Sequence, residues 1–352
     1  MCNDFLFFEI RNMKLTFTPH TLYFKHPFRI AHGVRSSTPV VITQLSYDGF
    51  TGYGEASMPP YLGESHESAL LFLSKAAAYL ETVNDPFDIS TILQTVDAMA
   101  ANNTAAKASV DIALHDLNGK LKNKPCWQLL DAGKNDTPYT TCTLEIDEPE
   151  MIRQKIEEGD QFKIFKVKLN GADDKNAIET IRRFTDKPVA VDVNQGWKTK
   201  EQALEMIEWL HTKNVLFVEQ ALAKENPDDA RWLYERSPLP LYADESVQRY
   251  TDIDNVKDCF HGINIKLMKC TGMHEAMKMI GAARALELKI LIGCISETSC
   301  AISAAAQLSP FADHADLDGA FLIKNDLFDG ITFTNGKITL SEKPGIGVVQ
   351  KM

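Results

Sequence analysis

The 352-residue chain is 44% apolar and 24% charged, an ordinary soluble globular balance, and its length suits two domains or one large barrel with an attachment. A net charge of −11 with no basic cluster argues against nucleic acid as a partner. It leaves an anionic substrate open, because a metal ion or a few local cations can dominate one site.

The seven cysteines (Cys2, Cys126, Cys142, Cys259, Cys270, Cys294 and Cys300) form no CxxC pair and no metal-ligand spacing. An odd number in a long chain reads as free thiols in a reducing, cytoplasmic compartment. No apolar run reaches the length of a membrane span, so no membrane partner is expected. The opening "MCNDFLFFEIRN" lacks a basic segment and a long apolar stretch, which does not fit an export signal. "KLTFTPHTLYF" after Met13 reads as the natural start, with residues 1–12 an upstream extension.

The first predicted elements are strands, "KLTFTPHTLYF" and then "PVVITQLSY", which ends at the turn "DGFTG". "HPFRIAHGVRSST" between them and "GYGEASMPPYLGES" after them read as irregular loops. Residues 104–122 predict a helix with Ala106, Val110, Ala113, Leu114, Leu117 and Leu121 on one face. Asn103 or Thr104 is its expected N-cap and Pro125 its stop. Residues 13–137 therefore read as an α+β unit.

From Tyr139 short apolar strands alternate with amphipathic helices such as "KEQALEMIEWLHTK" and "MHEAMKMIGAARALE". The strands are "TTCTL", "KIFKVKL", "PVAVDVN", "VLFVEQ", "PLYAD", "GINIKLM", "KILIGC" and "HADLDG". Such a run predicts a (β/α)8-type barrel over 138–320. An open doubly wound sheet would need a Gly-rich phosphate turn, which "GYGEAS" does not supply. Residues 321–352 return to hairpin grammar, with turns at Asp329-Gly330 and Asn335-Gly336, and are expected to pack back on the first unit.

In a barrel, strand C-terminal ends meet over one mouth and inward positions alternate with outward ones. The alternation sends Asp192, Asn194, Glu219, Asp244, Asn264, Lys266, Asp316 and Asp318 inward, together with Lys166 and Lys168. Asp192, Glu219 and Asp244 fall on successive strands, one βα unit apart. Hard oxygen ligands in that pattern suit Mg²⁺, one ion per subunit. Three unpaired exposed acids is the bland reading, and their common phase argues against it.

Lys168 and Lys266 lie on strands two and six, which face each other across a closed barrel. A substrate carboxylate at the metal would then have one lysine on each face of its α-carbon. Lys168 is the candidate base, with Lys166 and the metal expected to lower its pKa; Lys166 is also expected to hold the substrate carboxylate.

The ordered set "KVKL", "DVN", "EQ", "ADES" and "NIKLMK" resembles the enolase superfamily, within its muconate-lactonizing-enzyme subgroup. "ALHDLNGK" (113–120) is similar to the helix that closes that family's capping domain. The resemblance implies a modified (β/α)7β barrel under an α+β cap, and Mg²⁺-assisted proton transfer at a carbon next to a carboxylate. "DLDG" on strand eight resembles the dipeptide epimerases. By that resemblance Asp316 and Asp318 bind the substrate's α-ammonium, Thr143 and Cys294 contact the dipeptide, and Arg35 of "HGVRSS" meets the second residue's side chain. "KCTG" (269–272) departs from the Lys-x-Gly-Gly of many members, which puts the geometry of that loop in question.

The expected function is thus inversion of the C-terminal residue of a dipeptide, Ala-Glu or an Ala-Ala or Ala-hydrophobic type, in murein peptide metabolism. Arg35 favours an acidic second residue; Met58, Tyr61 and Leu62 of the neighbouring loop favour an apolar one. Two rivals stay open, a dehydratase like o-succinylbenzoate synthase and a non-catalytic binding barrel. A homo-oligomer is compatible with the sequence and not specified by it.

Overall fold

The structure, a computed structural model, describes residues 12–30 and 33–351; residues 1–11 of the supposed extension, Cys2 among them, and His32 of "HGVRSS" lie outside the described residues. Three antiparallel strands open the fold, β1 (Lys14–Ile30), β2 (Gly33–Tyr47) and β3 (Phe50–Ser57), in the order β1-β2-β3. Residues 26–30 and 33–38 of "HPFRIAHGVRSST" are therefore strand on the two sides of a long ribbon rather than a loop. A register shift between Tyr23 and Phe28 bends the ribbon, and beyond it Phe28 pairs with Arg35. β3 accompanies β2 only from Val40 to Tyr47. Past that point residues 322–324 pair with Tyr23–Lys25 of β1, so a distant segment rather than a local apolar pattern supports the ribbon.

"GYGEAS" is also strand, the last six residues of β3. Its glycines are contact residues. A Cβ at Gly52 would lie 2.1 Å from Ala113 O, and one at Gly54 would lie 1.9 Å from Ser109 O. They let a helix pack on bare backbone. After α1 (His66–Leu80) and α2 (Ile89–Ala98), that helix is α3 (Thr104–Leu121), as its periodicity predicts. It is buried nearly all round, Lys107, Asp111, Asp116 and Asn118 included. Asn103 stands at the N-cap, as expected, but makes no side-chain cap bond. Glu64 caps instead, its carboxylate accepting from the Ala105 and Ala106 amides at 2.8 and 3.2 Å.

A short α4 (Cys126–Leu129) leads into eight parallel strands. They are β4 (Thr141–Leu144), β5 (Ile164–Lys168), β6 (Val189–Asp192), β7 (Val215–Glu219), β8 (Leu241–Ala243), β9 (Gly262–Lys266), β10 (Lys289–Gly293) and β11 (His314–Asp316), paired in chain order. The connecting helices are α5 (Pro149–Glu158), α6 (Asp174–Arg182), α7 (Lys200–His211), α8 (Pro227–Tyr234), α9 (Ile253–Val256), α10 (Met273–Ala285) and α11 (Ser299–Ala306). Thr140 bridges to Ala315 and closes the ring. Every expected barrel strand is present, with a helical crossover in each of the seven connections and none after β11. The fold is a (β/α)7β barrel under an α+β cap.

Inside the barrel the alternation makes two layers. Ala190, Phe217, Tyr242 and Leu291 form one apolar cluster, and the Phe217 ring lies 4.6 Å from Tyr242 and 5.0 Å from His314. Two residues beyond Ala190, Phe217, Tyr242 and His314 stand Asp192, Glu219, Asp244 and Asp316. The apolar plug shuts one end of the barrel, so charged groups gather at the other.

The tail makes two attachments. β13 (Thr332–Thr334) and β14 (Lys337–Thr339) pair after β12 (Phe328–Asp329), through a turn at Asn335-Gly336 with both φ positive, as the sequence predicts. Phe333 of this hairpin stacks on Phe162 and Phe321 near the barrel. The turn expected at Asp329-Gly330 is absent; Asp329 pairs with Val349 of β15 (Val349–Gln350). Further on, Ile346 N–H donates to Asp116 of α3 at 2.9 Å, which ties the tail to the cap.

The cap grips the barrel mouth through buried polar groups. Glu55 of β3 accepts from Thr298 N, Thr298 Oγ1 and Ala301 N at the start of α11. Ser57 Oγ donates to Ser296 O at 2.7 Å. Asp111 of α3 accepts from the Met273 and His274 amides of α10. No helix among the described residues is long and apolar enough to cross a membrane.

Candidate active site

One pocket over the barrel mouth is lined by Lys168, Lys266, Asp244, Asp316, Asp318, Thr143, Cys294 and Arg35. Asp192 and Glu219 lie fully buried at its floor, within reach of the same lysines. Strand pairing builds the floor: Lys168 registers with Asp192, and Asp192 with Glu219.

Asp192, Glu219 and Asp244 each offer an oxygen within 4.8 Å of the others, a separation that one divalent cation can bridge. Lys166 Nζ lies 2.7 Å from Glu219 Oε2 and 3.1 Å from Asp192 Oδ2, yet Glu219 Oε2 accepts no hydrogen bond in good geometry. Burial and the neighbouring Asp192 and Asp244 charges push the Glu219 carboxyl up to about 7. Burial also works against Asp192, but Lys168 and Lys166 override it and hold Asp192 at about 2. Lys266 and Lys269 likewise hold Asp244 well below the usual carboxylate range, so two ionised acids and Glu219 converge where a cation would fit.

The lysines of the floor and wall are paired with carboxylates. Burial alone would lower the Lys166 and Lys266 pKa values, but their carboxylate partners override it and hold both well above the ordinary lysine value. Lys166 meets Asp316, Glu219 and Asp192; Lys266 meets Asp244 at 2.7 Å. The Lys166 partners stand on strands three, four and eight of the barrel. Lys168 Nζ is 2.7 Å from Asp192 Oδ2.

The "DLDG" aspartates meet different partners. Asp316 is engaged by Lys166 at 2.7 Å and by Thr141 Oγ1 at 2.5 Å. Asp318 accepts the Thr143 N–H at 2.6 Å. Burial and the Asp316 charge push the Asp318 carboxyl up to about 7. Arg35 reaches the pocket from the ribbon, with its guanidinium 5.9 Å from the Phe24 ring centroid. Its Nε and Nη1 are shut off from solvent without a hydrogen-bond partner among the described residues.

This chain matches the family model "Enolase C-terminal domain-like" over residues 149–351 and "Mandelate racemase / muconate lactonizing enzyme, N-terminal domain" over 13–131. It belongs to the mandelate racemase/muconate lactonizing enzyme family. Within that family it is 53% identical over 339 residues to an L-Ala-D/L-Glu epimerase of Bacteroides thetaiotaomicron, covering 96% of this chain and 88% of the relative. It is 38% identical to an L-Ala-D/L-amino acid epimerase of Pedosphaera parvula, covering 94% and 97%. Among solved structures, a dipeptide epimerase from Enterococcus faecalis complexed with Mg and L-Leu-L-Tyr superposes with a TM-score of 0.90 at 29% identity, covering 96% and 100%.

In this family member the pocket also contains groups that sequence reading missed. Glu245, Gln195, Ile295, Ser296 and Leu322 line it. Glu245 follows Asp244, and strict alternation would send it outward; β8 ends at Ala243, so the alternation no longer applies. Of the loop residues expected near the substrate, only Tyr61 lines the pocket; Met58 is core, at 1% exposure, and Leu62 packs against that core. The "KCTG" loop keeps the backbone a glycine would allow, with Thr271 at φ 65°.

Proposed function

We propose that the protein is a Mg²⁺-dependent dipeptide epimerase that inverts the α-carbon of the C-terminal residue and prefers an acidic residue there. The observation that carries this reading is a single pocket lined at once by two lysines from strands two and six, the Asp316–Asp318 pair, and an arginine with buried, unpaired nitrogens. The relatives support it: an L-Ala-D/L-Glu epimerase at 53% identity, and a neighbour complexed with Mg and a dipeptide.

Asp192, Glu219 and Asp244 would hold the ion, whose charge stabilises the negative charge that develops on the substrate carboxylate. Asp318, with Asp316, binds the α-ammonium of the first residue. Thr143 orients Asp318 through its amide, and Cys294 walls the same end. Lys166 neutralises the floor and helps hold the substrate carboxylate. Lys168 and Lys266 act from opposite faces of the α-carbon, one removing the proton and the other delivering one. Arg35 pairs with the distal carboxylate. A dehydratase of the o-succinylbenzoate synthase type would bring no ammonium to Asp318.

A cap of residues 13–137 with 321–352 around a barrel of 138–320 belongs to this reading, supported by the Ile346–Asp116 bond. So does a reducing cytoplasmic setting in murein peptide turnover, supported by the six described cysteines all being free. Incubation with L-Ala-L-Glu and Mg²⁺ in D₂O tests the reaction. Proton NMR should show the glutamyl α-proton exchanging while the second epimer accumulates. Absence of α-exchange across a panel of acidic and apolar dipeptides overturns the reading.

A further inference from the structure

Each carboxylate of the acidic triad divides its two oxygens between different neighbours. Asp192 Oδ2, Glu219 Oε2 and Asp244 Oδ2 face Lys168, the fully buried Lys166, and Lys266, each at 2.7 Å. The second oxygens are tied back into the barrel wall. Asp192 Oδ1 accepts the Asn194 N–H at 3.0 Å, Glu219 Oε1 accepts from Asn264 Nδ2 at 2.7 Å, and Asp244 Oδ1 accepts from Lys269 Nζ at 2.5 Å.

Lys269 is buried, at 2% exposure, and its ammonium also meets Asp244 O, Val247 O and Asn264 O. Asp244 is the one pocket group it meets among the described residues, so it is fixed in the wall. Asn264 is likewise fully buried. Neither side chain can turn away without leaving buried polar atoms unpaired, which costs about 1–3 kcal/mol per group.

We propose that Asn264 and Lys269 are positioning residues that restrict Glu219 and Asp244 to one inward oxygen each, and that they thereby select Mg²⁺ over Ca²⁺. Ca²⁺ takes about six to eight oxygens and gains from carboxylates that chelate with both; Mg²⁺ takes six and keeps several waters. Single inward oxygens satisfy the smaller ion and starve the larger one. This inference rests on the metal reading above and adds the selectivity of the site.

The test loads the full-length wild type, Lys269→Met and Asn264→Ala with Mn²⁺ and displaces it with Mg²⁺ or Ca²⁺, following the free-Mn²⁺ electron paramagnetic resonance signal. Thermal melts in EDTA check that each protein is folded. In both variants the Mg²⁺-to-Ca²⁺ preference should fall by about tenfold or more, the scale of a lost outer hydrogen bond at a metal ligand. A merely structural role would weaken both ions together, so folded variants with an unchanged preference overturn the inference. Should Lys269→Met show no cooperative melt, Asn264→Ala decides alone. A wild type that binds none of the three ions would instead sink the metal reading itself.

Discussion

The Lys166 ammonium lies 2.7 Å from the Asp316 carboxylate, and so links the second strand of the barrel to the eighth. The same nitrogen meets Glu219 and Asp192, which makes one buried cation the joint between the acidic triad and the aspartate pair. Lys166→Met would leave three buried carboxylates without it. Urea denaturation in EDTA should show a loss of about 3–5 kcal/mol. A change below about 1 kcal/mol, the range of a surface ion pair, would mean that the carboxylates are neutralised by other means.

Arg35 offers two buried nitrogens to whatever fills the far end of the pocket. Arg35→Ala should reduce kcat/KM for Ala-Glu far more than for Ala-Ala, by about 1.5–3 kcal/mol of differential binding. Equal losses on both substrates would remove Arg35 from substrate choice.

Asp318 predicts a pH limb. Its carboxyl is raised to about 7, so it takes up a proton as pH falls through neutrality and then no longer attracts an ammonium group. KM should rise below about pH 7 with kcat much less affected. Asp318→Asn should show a high KM without that limb. A wild-type KM flat between about pH 6 and 8 would place the ammonium elsewhere.

The two lysines should divide the epimers between them. Lys168→Ala abolishes α-exchange starting from one epimer and Lys266→Ala starting from the other, and either change stops inversion. Deuterium-exchange time courses on both epimers are the measurement. Interconversion near the wild-type rate in either variant would require a single mobile base.

Thr271 and Gly272 should respond in opposite directions. Thr271 sits at φ 65°, strained for a β-branched residue, so Thr271→Gly should stabilise the fold by up to about 1 kcal/mol. Gly272 has φ 118°, and a Cβ there would lie 2.3 Å from Asp111, which caps α10. Gly272→Ala should cost more than about 1–2 kcal/mol, seen as a lower Tm. A neutral Gly272→Ala would show that the α3–α10 joint yields easily.

Much of this site was legible because its chemistry rides on a local period. Alternation along "PVAVDVN" and "GINIKLM" sends Asp192, Asn264 and Lys266 inward whatever the rest of the chain does, and closure of the barrel brings the strand ends together. The ribbon was misread for the converse reason. "HPFRIAHGVRSST" shows no apolar alternation, and the backbone pairing of β1 with β2 makes it a strand.

The sequence by itself determined the eight barrel strands, the acidic triad, the two opposed lysines and the aspartate pair. Tertiary structure decided how those charges are satisfied: Lys166 paired with three carboxylates, Glu245 turned into the pocket, and Lys269 folded back onto Asp244. It also decided that Glu64 caps α3 and that Thr140 meets Ala315 to close the ring. A side chain's direction within a strand follows from its immediate neighbours. Its partner across the barrel or beyond a loop depends on contacts tens to hundreds of residues away, and no local pattern records those.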